Sequence, residues 1–215
     1  MRHSNSHVND TGTAWWRALV WSLVVCLAPL MACRADIDPT AEASVRDAIE
    51  SLLARLKSEG PAIKEDTGRI DILARELVLP HFDFAQMSQR ALGRHWPSFT
   101  PAQRTRFIAA FQTLMIRTYS RAIADYSDAA VKYEPARELN PGVLKIRTEV
   151  QKPDGGKLLQ LDFVVRKQES AWRAIDVTLN GVSLVVSYRA GFDADIGKAG
   201  VDGLIQQLET RNTGG

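Results

Sequence analysis

Apolar side chains recur at helical spacing from residue 38 to about residue 125. In the first such segment they fall three and four positions apart, at Val45, Ile49, Leu52, Leu53 and Leu56. Asp38 can cap a helix and Pro39 suits its first position, whereas Gly60-Pro61 is expected to end it. The pattern therefore predicts an amphipathic helix with one apolar face.

Three further helices are predicted before residue 126. One is predicted around Ile70 and Leu77 and is expected to end at Pro80, and a short one is predicted from the capping residue Asp83 to Gly93. Thr100-Pro101-Ala102-Gln103 combines an N-cap, a proline and a glutamine in the positions of a capping box. A long helix should follow as far as about Asp125.

The period changes from helical to alternating after Pro135. Residues 144–150 alternate apolar and polar, residues 153–156 have the composition of a turn, and residues 159–165 alternate again. This pattern predicts an antiparallel hairpin. A strand from Trp172 adds Ile175, Val177 and Leu179 on one face, and Val131–Tyr133 is expected to supply a fourth strand.

Helical spacing returns after Asn180-Gly181. Apolar residues recur every four positions from Leu184 to Ile196, and the segment from Gly197 to Gly203 should break this helix before a last one. The predicted fold class is α+β: an antiparallel sheet of about four strands, curled against N-terminal and C-terminal helices.

The N-terminal segment has the pattern of a secretory signal. The apolar run from Ala18 to Ala32 is shorter than the roughly 20 residues that span a bilayer, and small residues follow it. Cleavage after Ala35 would leave a domain at 36–211 and a disordered tail at 212–215. A second interpretation stays open, because Leu30-Met31-Ala32-Cys33 resembles a lipobox and would make Cys33 a lipid anchor.

Removal of this leader changes the charge and the cysteine content. The chain has 27 basic and 25 acidic residues, and the leader takes three basic residues and one acidic residue with it. The mature chain is then formally neutral, which gives no field that favours nucleic acid. Both cysteines, Cys26 and Cys33, lie at or before the cut, so packing alone is expected to hold the fold.

A set of short motifs spread over about 130 residues resembles the MlaC family of phospholipid-binding proteins. They occur in one order along the chain: His81-Phe82-Asp83-Phe84, Leu92-Gly93 with Trp96, the Thr100–Gln103 box, Phe107 and Phe111, Trp172 with Ile175-Asp176-Val177, Gly181-Val182-Ser183-Leu184, Tyr188-Arg189 with Phe192, and Asp202-Gly203-Leu204-Ile205. None of these motifs is specific for the family by itself, but their combined order and spacing are.

The resemblance implies a periplasmic carrier that performs no chemistry. The family fold is related to the cone-shaped nuclear transport factor architecture and holds acyl chains between its sheet and helices. Members exchange phospholipid with an outer-membrane MlaA–porin assembly and with an inner-membrane ABC transporter through its MlaD ring, and so maintain outer-membrane lipid asymmetry. We therefore expect no cofactor, with phospholipid as cargo.

The apolar stripes supply candidate lipid-binding residues once the resemblance is accepted. Without it such stripes are ordinary core, and about half of the candidates should still prove to be packing. The candidates are Phe111, Met115, Tyr119, Leu144, Ile146, Leu161, Phe163, Val177, Leu184, Tyr188 and Phe192.

Polar residues beside these stripes leave several roles open. Tyr188 or Arg189 can meet the phosphate ester at the mouth of a cavity, although a surface salt bridge is the commoner role for an arginine. Asp176 can pair with Arg173 or Arg189 in a structural network.

Two other classes of function remain as alternatives. Cone-shaped domains also host isomerases and dehydratases, for which Asp176 with Tyr119 or Tyr188 is the pair to consider. A periplasmic chaperone for a lipoprotein or peptide is the other. The sequence contains no G-x-S-x-G or H-E-x-x-H motif and no P-loop, so we expect neither catalytic nor metal-binding residues.

Overall fold

A computed structural model of the chain describes residues 38–66, 68–169 and 171–213. The predicted signal segment and both cysteines lie outside these residues. Within them, no helix is both long enough and apolar enough to cross a membrane.

Five α-helices are described. They are α1 (Pro39–Glu65), α2 (Gly68–Leu73), α3 (Phe84–Leu92), α4 (Pro101–Ala124) and α5 (Leu184–Thr213). The predicted caps are confirmed, because Asp38, Asp83 and Thr100 each accept a hydrogen bond from a backbone N–H of the following turn, and Thr100 and Gln103 form the capping box.

Two helical predictions are wrong in their extent. Helix α1 continues through Gly60 and Pro61, since Ile63 beyond them is buried against Leu56, Ile70 and Leu73. Burial of this apolar face outweighs the low helix propensity of glycine and proline. The α-helix predicted to end at Pro80 is interrupted after Leu73, where a π-helical turn (Ala74–Val78) and a 3₁₀ turn (Leu79–His81) follow.

The sheet is antiparallel and has six strands instead of about four. They are β1 (Ala130–Tyr133), β2 (Arg137–Asn140), β3 (Val143–Gln151), β4 (Leu159–Gln168), β5 (Ala171–Leu179) and β6 (Val182–Ser183), in the order β1-β3-β4-β5-β6 with β2 also paired to β3. Strand β2 has four exposed residues and β6 has only two. Neither therefore shows the alternation by which strands are predicted.

Register gives the sheet one apolar face and one polar face. Ile146 lies opposite Phe163, and Phe163 lies opposite Val177, so these side chains share the apolar face. On the other face, which we call the polar face, Arg147 lies opposite Asp162. The pairing of β4 with β5 is irregular between Val164 and Val165, so no residue of β4 lies opposite Ile175. Ile175 therefore departs from the regular alternation that predicted it on the same face as Val177.

A buried ion cluster holds the polar face together. The Asp162 carboxylate is 2% exposed and pairs with Lys145 at 2.5 Å and with Arg147 at 3.0 Å. Burial alone would raise the pKa of this carboxyl, but the hydrogen bonds from Lys145, Arg147 and Gln160 outweigh it and hold the pKa below its usual value. The charges of the central strands are thus neutralised on the side opposite the apolar face.

Helix α5 consists of two helical segments that meet at Gly200. This residue has φ 70° and ψ −177°, outside the helical region. The break predicted between Gly197 and Gly203 is therefore confirmed. The second segment extends to Thr213, two residues past the predicted end of the domain, where the Asn212 amide donates to the carbonyl of Ala110.

Three apolar clusters hold these elements together. Helices α3, α4 and α5 share the largest, the N-terminal half of α1 packs on the apolar face of the sheet in the second, and the C-terminal half of α1 packs against α2 in the third. The clusters surround a region over the centre of the apolar face that their side chains leave unfilled.

Candidate functional site

A cavity of about 380 Å³ lies between the apolar face of the sheet and the helices. Its walls come from α1, from residues 74–82, from α4 and from strands β3, β4 and β5. Almost all of the lining side chains are aliphatic or aromatic. A volume of this size is in the range of small-molecule binding sites, and such a lining offers a guest only dispersion and hydrophobic contact.

The few polar side chains in the wall bond to the protein itself. Ser120 donates to the Asp71 carboxylate at 2.5 Å, Ser44 donates to the carbonyl of Trp172, and the Trp172 indole donates to the Thr40 hydroxyl. These hydrogen bonds occupy donors that would otherwise prefer water. The wall therefore stays effectively apolar at these positions.

Two ionisable groups at the wall, Tyr119 and His81, are held in their neutral forms. Burial, together with the nearby Tyr188, raises the pKa of Tyr119 to about 12. Burial and the charge of Arg173 lower the pKa of His81. Both shifts favour the uncharged form at neutral pH, so neither side chain puts a charge into the cavity.

The structure brings six of the eleven predicted binding residues to the cavity wall. These are Met115, Tyr119, Leu161, Phe163, Val177 and Leu184. Met115 and Tyr119 come from α4, and Leu184 begins α5. The three strand residues lie on the apolar face, in the register that the alternating pattern requires.

The other five predicted residues pack away from the cavity. Leu144 and Ile146 share the apolar face, but the N-terminal half of α1 covers them through Ala41 and Val45. Phe111, Tyr188 and Phe192 form an aromatic cluster between α4 and α5, with ring centroids 5.4 to 5.6 Å apart. Their role in this structure is to fill the core.

Sequence reasoning missed the parts of the wall that α1, the segment after α2 and the start of β5 contribute. The missed residues include Val45, Ile49, Leu52, Leu53, Ala74, Val78, Leu79, Phe82, Trp172 and Ala174. The stripe on α1 was visible, but its spacing is the same for a core helix and for a cavity wall. Only the distance between α1 and the sheet separates the two.

The cavity lining includes side chains that lie at or near the protein surface. Leu179 lines the cavity, and Val182, which is directly opposite it in the register, is 60% exposed. The lining residue Ala122 of α4 is also exposed. Some of the apolar side chains at the cavity wall are therefore accessible from outside.

Asp176 lies outside the cavity and serves as a structural anchor. Its carboxylate accepts hydrogen bonds from the Ser183 hydroxyl at 2.7 Å and from the Val185 N–H at 3.4 Å, and it pairs with Arg90 at 3.5 Å. The sequence suggested Arg173 or Arg189 as the partner of Asp176, but the arginine that pairs with it is Arg90. This network fixes the start of α5 to β5, and it keeps the carboxylate from forming an acid–base pair with Tyr119 in the cavity.

Arg189 also has a partner within the protein. Its guanidinium donates to the backbone carbonyl of Arg90 through two nitrogens, at 3.2 and 2.6 Å. Among the described residues it forms no salt bridge, so the surface salt bridge considered from the sequence is absent there.

Comparison with known proteins places this geometry in a family. The chain matches the family described as MlaC protein over residues 46–210, which include the whole sheet and most of the cavity-forming helices. The chain belongs to the MlaC family.

Two relatives agree with the MlaC assignment. The Haemophilus influenzae protein named intermembrane phospholipid transport system binding protein MlaC is 24% identical over 168 residues, which cover 77% of this chain and 78% of that protein. A solved structure of the phospholipid-binding protein from Ralstonia solanacearum, in complex with a phospholipid, matches with a TM-score of 0.74 and 31% identity. That match covers 80% of this chain and 97% of the other.

Proposed function

We propose that this MlaC-family protein is a periplasmic phospholipid carrier that moves lipid between the outer and inner membranes and holds the acyl chains in the apolar cavity. The observation that carries the proposal is the cavity of about 380 Å³ with an almost wholly apolar lining. Two relatives support it, since the Haemophilus influenzae protein is named for intermembrane phospholipid transport and the Ralstonia solanacearum structure contains a phospholipid.

The energetics of lipid transfer explain why the walls are apolar. Two acyl chains carry about 30 methylenes, and at roughly 0.8 kcal/mol each their exposure to water costs on the order of 24 kcal/mol. A carrier removes this barrier if its wall resembles the bilayer interior. Transfer between membrane and cavity is then near equilibrium, so partners can set its direction.

The partners we propose are those of the family. Lipid would be exchanged with an MlaA–porin assembly at the outer membrane and with an MlaD-containing ABC transporter at the inner membrane. Export would use the apolar N-terminal segment as a cleaved signal, and lipidation of Cys33 is the alternative that mass spectrometry of the mature N-terminus would detect.

A carrier fits the site better than an isomerase or dehydratase does. The carboxylate needed for proton transfer, Asp176, is engaged by Ser183, Val185 and Arg90 outside the cavity. The cavity wall offers Tyr119 and His81, whose pKa shifts both favour the neutral form. Such a wall suits hydrocarbon and gives little assistance to a proton-transfer reaction.

Native mass spectrometry of protein purified without detergent tests the proposal. We expect a mass increment of one phospholipid, and transfer of labelled phospholipid from vesicles to the emptied protein. A co-purified peptide would favour the chaperone alternative. Protein that carries no lipid and extracts none from vesicles would overturn the carrier proposal.

A further inference from the structure

A second pocket lies on the other side of α4 from the lipid cavity. It has a volume of about 350 Å³ and is lined by Gly68, Asp71, Arg75, Thr113, Arg117, Arg121 and Asn212. Three of these residues are arginines. We call this site the arginine pocket.

The arginines of this pocket contrast with two arginines on α2 and α4, Arg69 and Arg106. Arg69 pairs with Glu59, and Arg106 pairs with Glu209. Among the described residues, no carboxylate lies within ion-pair distance of Arg75, Arg117 or Arg121. The pocket thus gathers three arginines that have no ion pair among the described residues.

The other polar groups of the pocket are engaged within the protein. Arg117 donates to the backbone carbonyl of Asn212, and the Asn212 amide donates to Ala110. Thr113 donates to the carbonyl of Ala109, and Asp71 accepts from Ser120 at 2.5 Å. Arg75 and Arg121 are exposed, which leaves their guanidinium groups accessible to a ligand.

Three guanidinium groups and the single carboxylate of Asp71 leave the pocket with a net positive charge. The like charges repel one another, and an anion bound among them relieves that repulsion. A guanidinium group offers several N–H donors in a planar fork that matches the oxygens of phosphate or carboxylate. A phosphate monoester has three free oxygens and nearly two negative charges, so it can accept from several guanidinium groups at once. A carboxylate offers two oxygens and one charge and balances the cluster less well.

We propose that the arginine pocket binds a terminal phosphate group, either free phosphate or the monoester head group of an acidic lipid. The site is separate from the cargo cavity, because the apolar cluster of Ile70, Leu73 and Ile123 packs between α2 and α4. The proposal therefore does not depend on how the acyl chains are held.

Isothermal titration of the mature protein with inorganic phosphate tests the proposal. The test variant is Arg75→Gln/Arg121→Gln, and the matched control is Arg137→Gln, which changes an exposed arginine on β2. We expect phosphate to bind the double variant at least about tenfold more weakly than wild type, because charge-assisted hydrogen bonds are lost. The control should bind phosphate like wild type.

Vesicle flotation distinguishes the two sources of the phosphate group. Binding to vesicles that contain phosphatidic acid but not to pure phosphatidylcholine vesicles, and its loss in the double variant, would assign the pocket to a lipid head group. Phosphate binding without this vesicle preference would assign it to a soluble phosphate. If wild type does not bind phosphate, or if the double variant binds it equally well with an unchanged circular dichroism spectrum, the proposal is overturned.

Discussion

Val177 and Thr178 are neighbours on β5, yet they lie on opposite faces of the sheet. Val177 pairs with Phe163 and lines the cavity, whereas Thr178 pairs with Asp162 on the polar face. A charge at position 177 therefore enters the space proposed for lipid, and a charge at position 178 enters a region that already contains Lys145, Arg147 and Asp162. Substitutions at positions 177 and 178 can therefore distinguish a loss of lipid binding from a loss of folding.

The substitution Val177→Arg should abolish phospholipid uptake, because a guanidinium group in the cavity cannot be desolvated by acyl chains without a partner. Its cost in stability should be smaller than that of a charge in the filled core, since water can enter an open cavity. Native mass spectrometry and urea denaturation measure the two effects. Thr178→Arg is the matched control and should retain lipid; wild-type lipid occupancy in Val177→Arg would contradict the assigned wall.

At the scale of elements, Gly200 sets the angle between the two segments of α5. Its φ of 70° with an extended ψ is a conformation that essentially only glycine adopts. The first segment contributes Phe192 to the core, and the second contributes Leu204, Ile205 and Leu208 to the same cluster. A continuous helix could not direct both segments onto α3 and α4.

Alanine at two nearby glycines of α5 should change stability in opposite directions. Gly200→Ala should lower the free energy of unfolding by about 1–3 kcal/mol, because the backbone conformation at this position is strained for any residue with a Cβ. Gly197→Ala should raise it by about 0.5–1 kcal/mol, since Gly197 is helical and a Cβ there meets no atom within 4 Å. Urea denaturation measures both, and a stabilising Gly200→Ala would show that the kink is not required.

At the scale of the whole domain, the cavity removes packing from the centre of the fold. Three apolar clusters lie around it, so its lining makes fewer contacts than a filled core when no guest is bound. A guest that binds only the folded chain shifts the unfolding equilibrium toward that state. Cargo is thus expected to act as part of the core.

Removal of bound lipid should lower the melting temperature, and its return should restore it. A ligand at about 100 times its Kd adds about 2.7 kcal/mol, which for a domain of this size corresponds to a shift of roughly 5 °C or more. Differential scanning calorimetry of extracted and reloaded protein measures the shift. Val177→Arg, which cannot take up lipid, serves as the control and should melt at the same temperature with and without added phospholipid.

Local chemistry was sufficient to predict much of the fold. The caps at Asp38, Asp83 and Thr100, the alternation along β3 and β4, and the break in α5 all follow from interactions within a few residues. The length of α1 was not predictable in this way, because burial of Ile63 against α2 extends the helix through Gly60 and Pro61.

The cavity-lining residues were likewise only partly predictable from local sequence patterns. Composition and a period of two or 3.6 are enough to identify the apolar side chains and the face of each strand that they share. The packing of α1 on the sheet, which no local pattern contains, places Leu144 and Ile146 beneath α1 while Leu161, Phe163 and Val177 line the cavity. Apolar residues show the same sequence pattern in a filled core and in a cavity wall. The distance between the packed elements decides whether a residue is buried in the core or lines the cavity. That distance depends on side chains that are far apart in the chain.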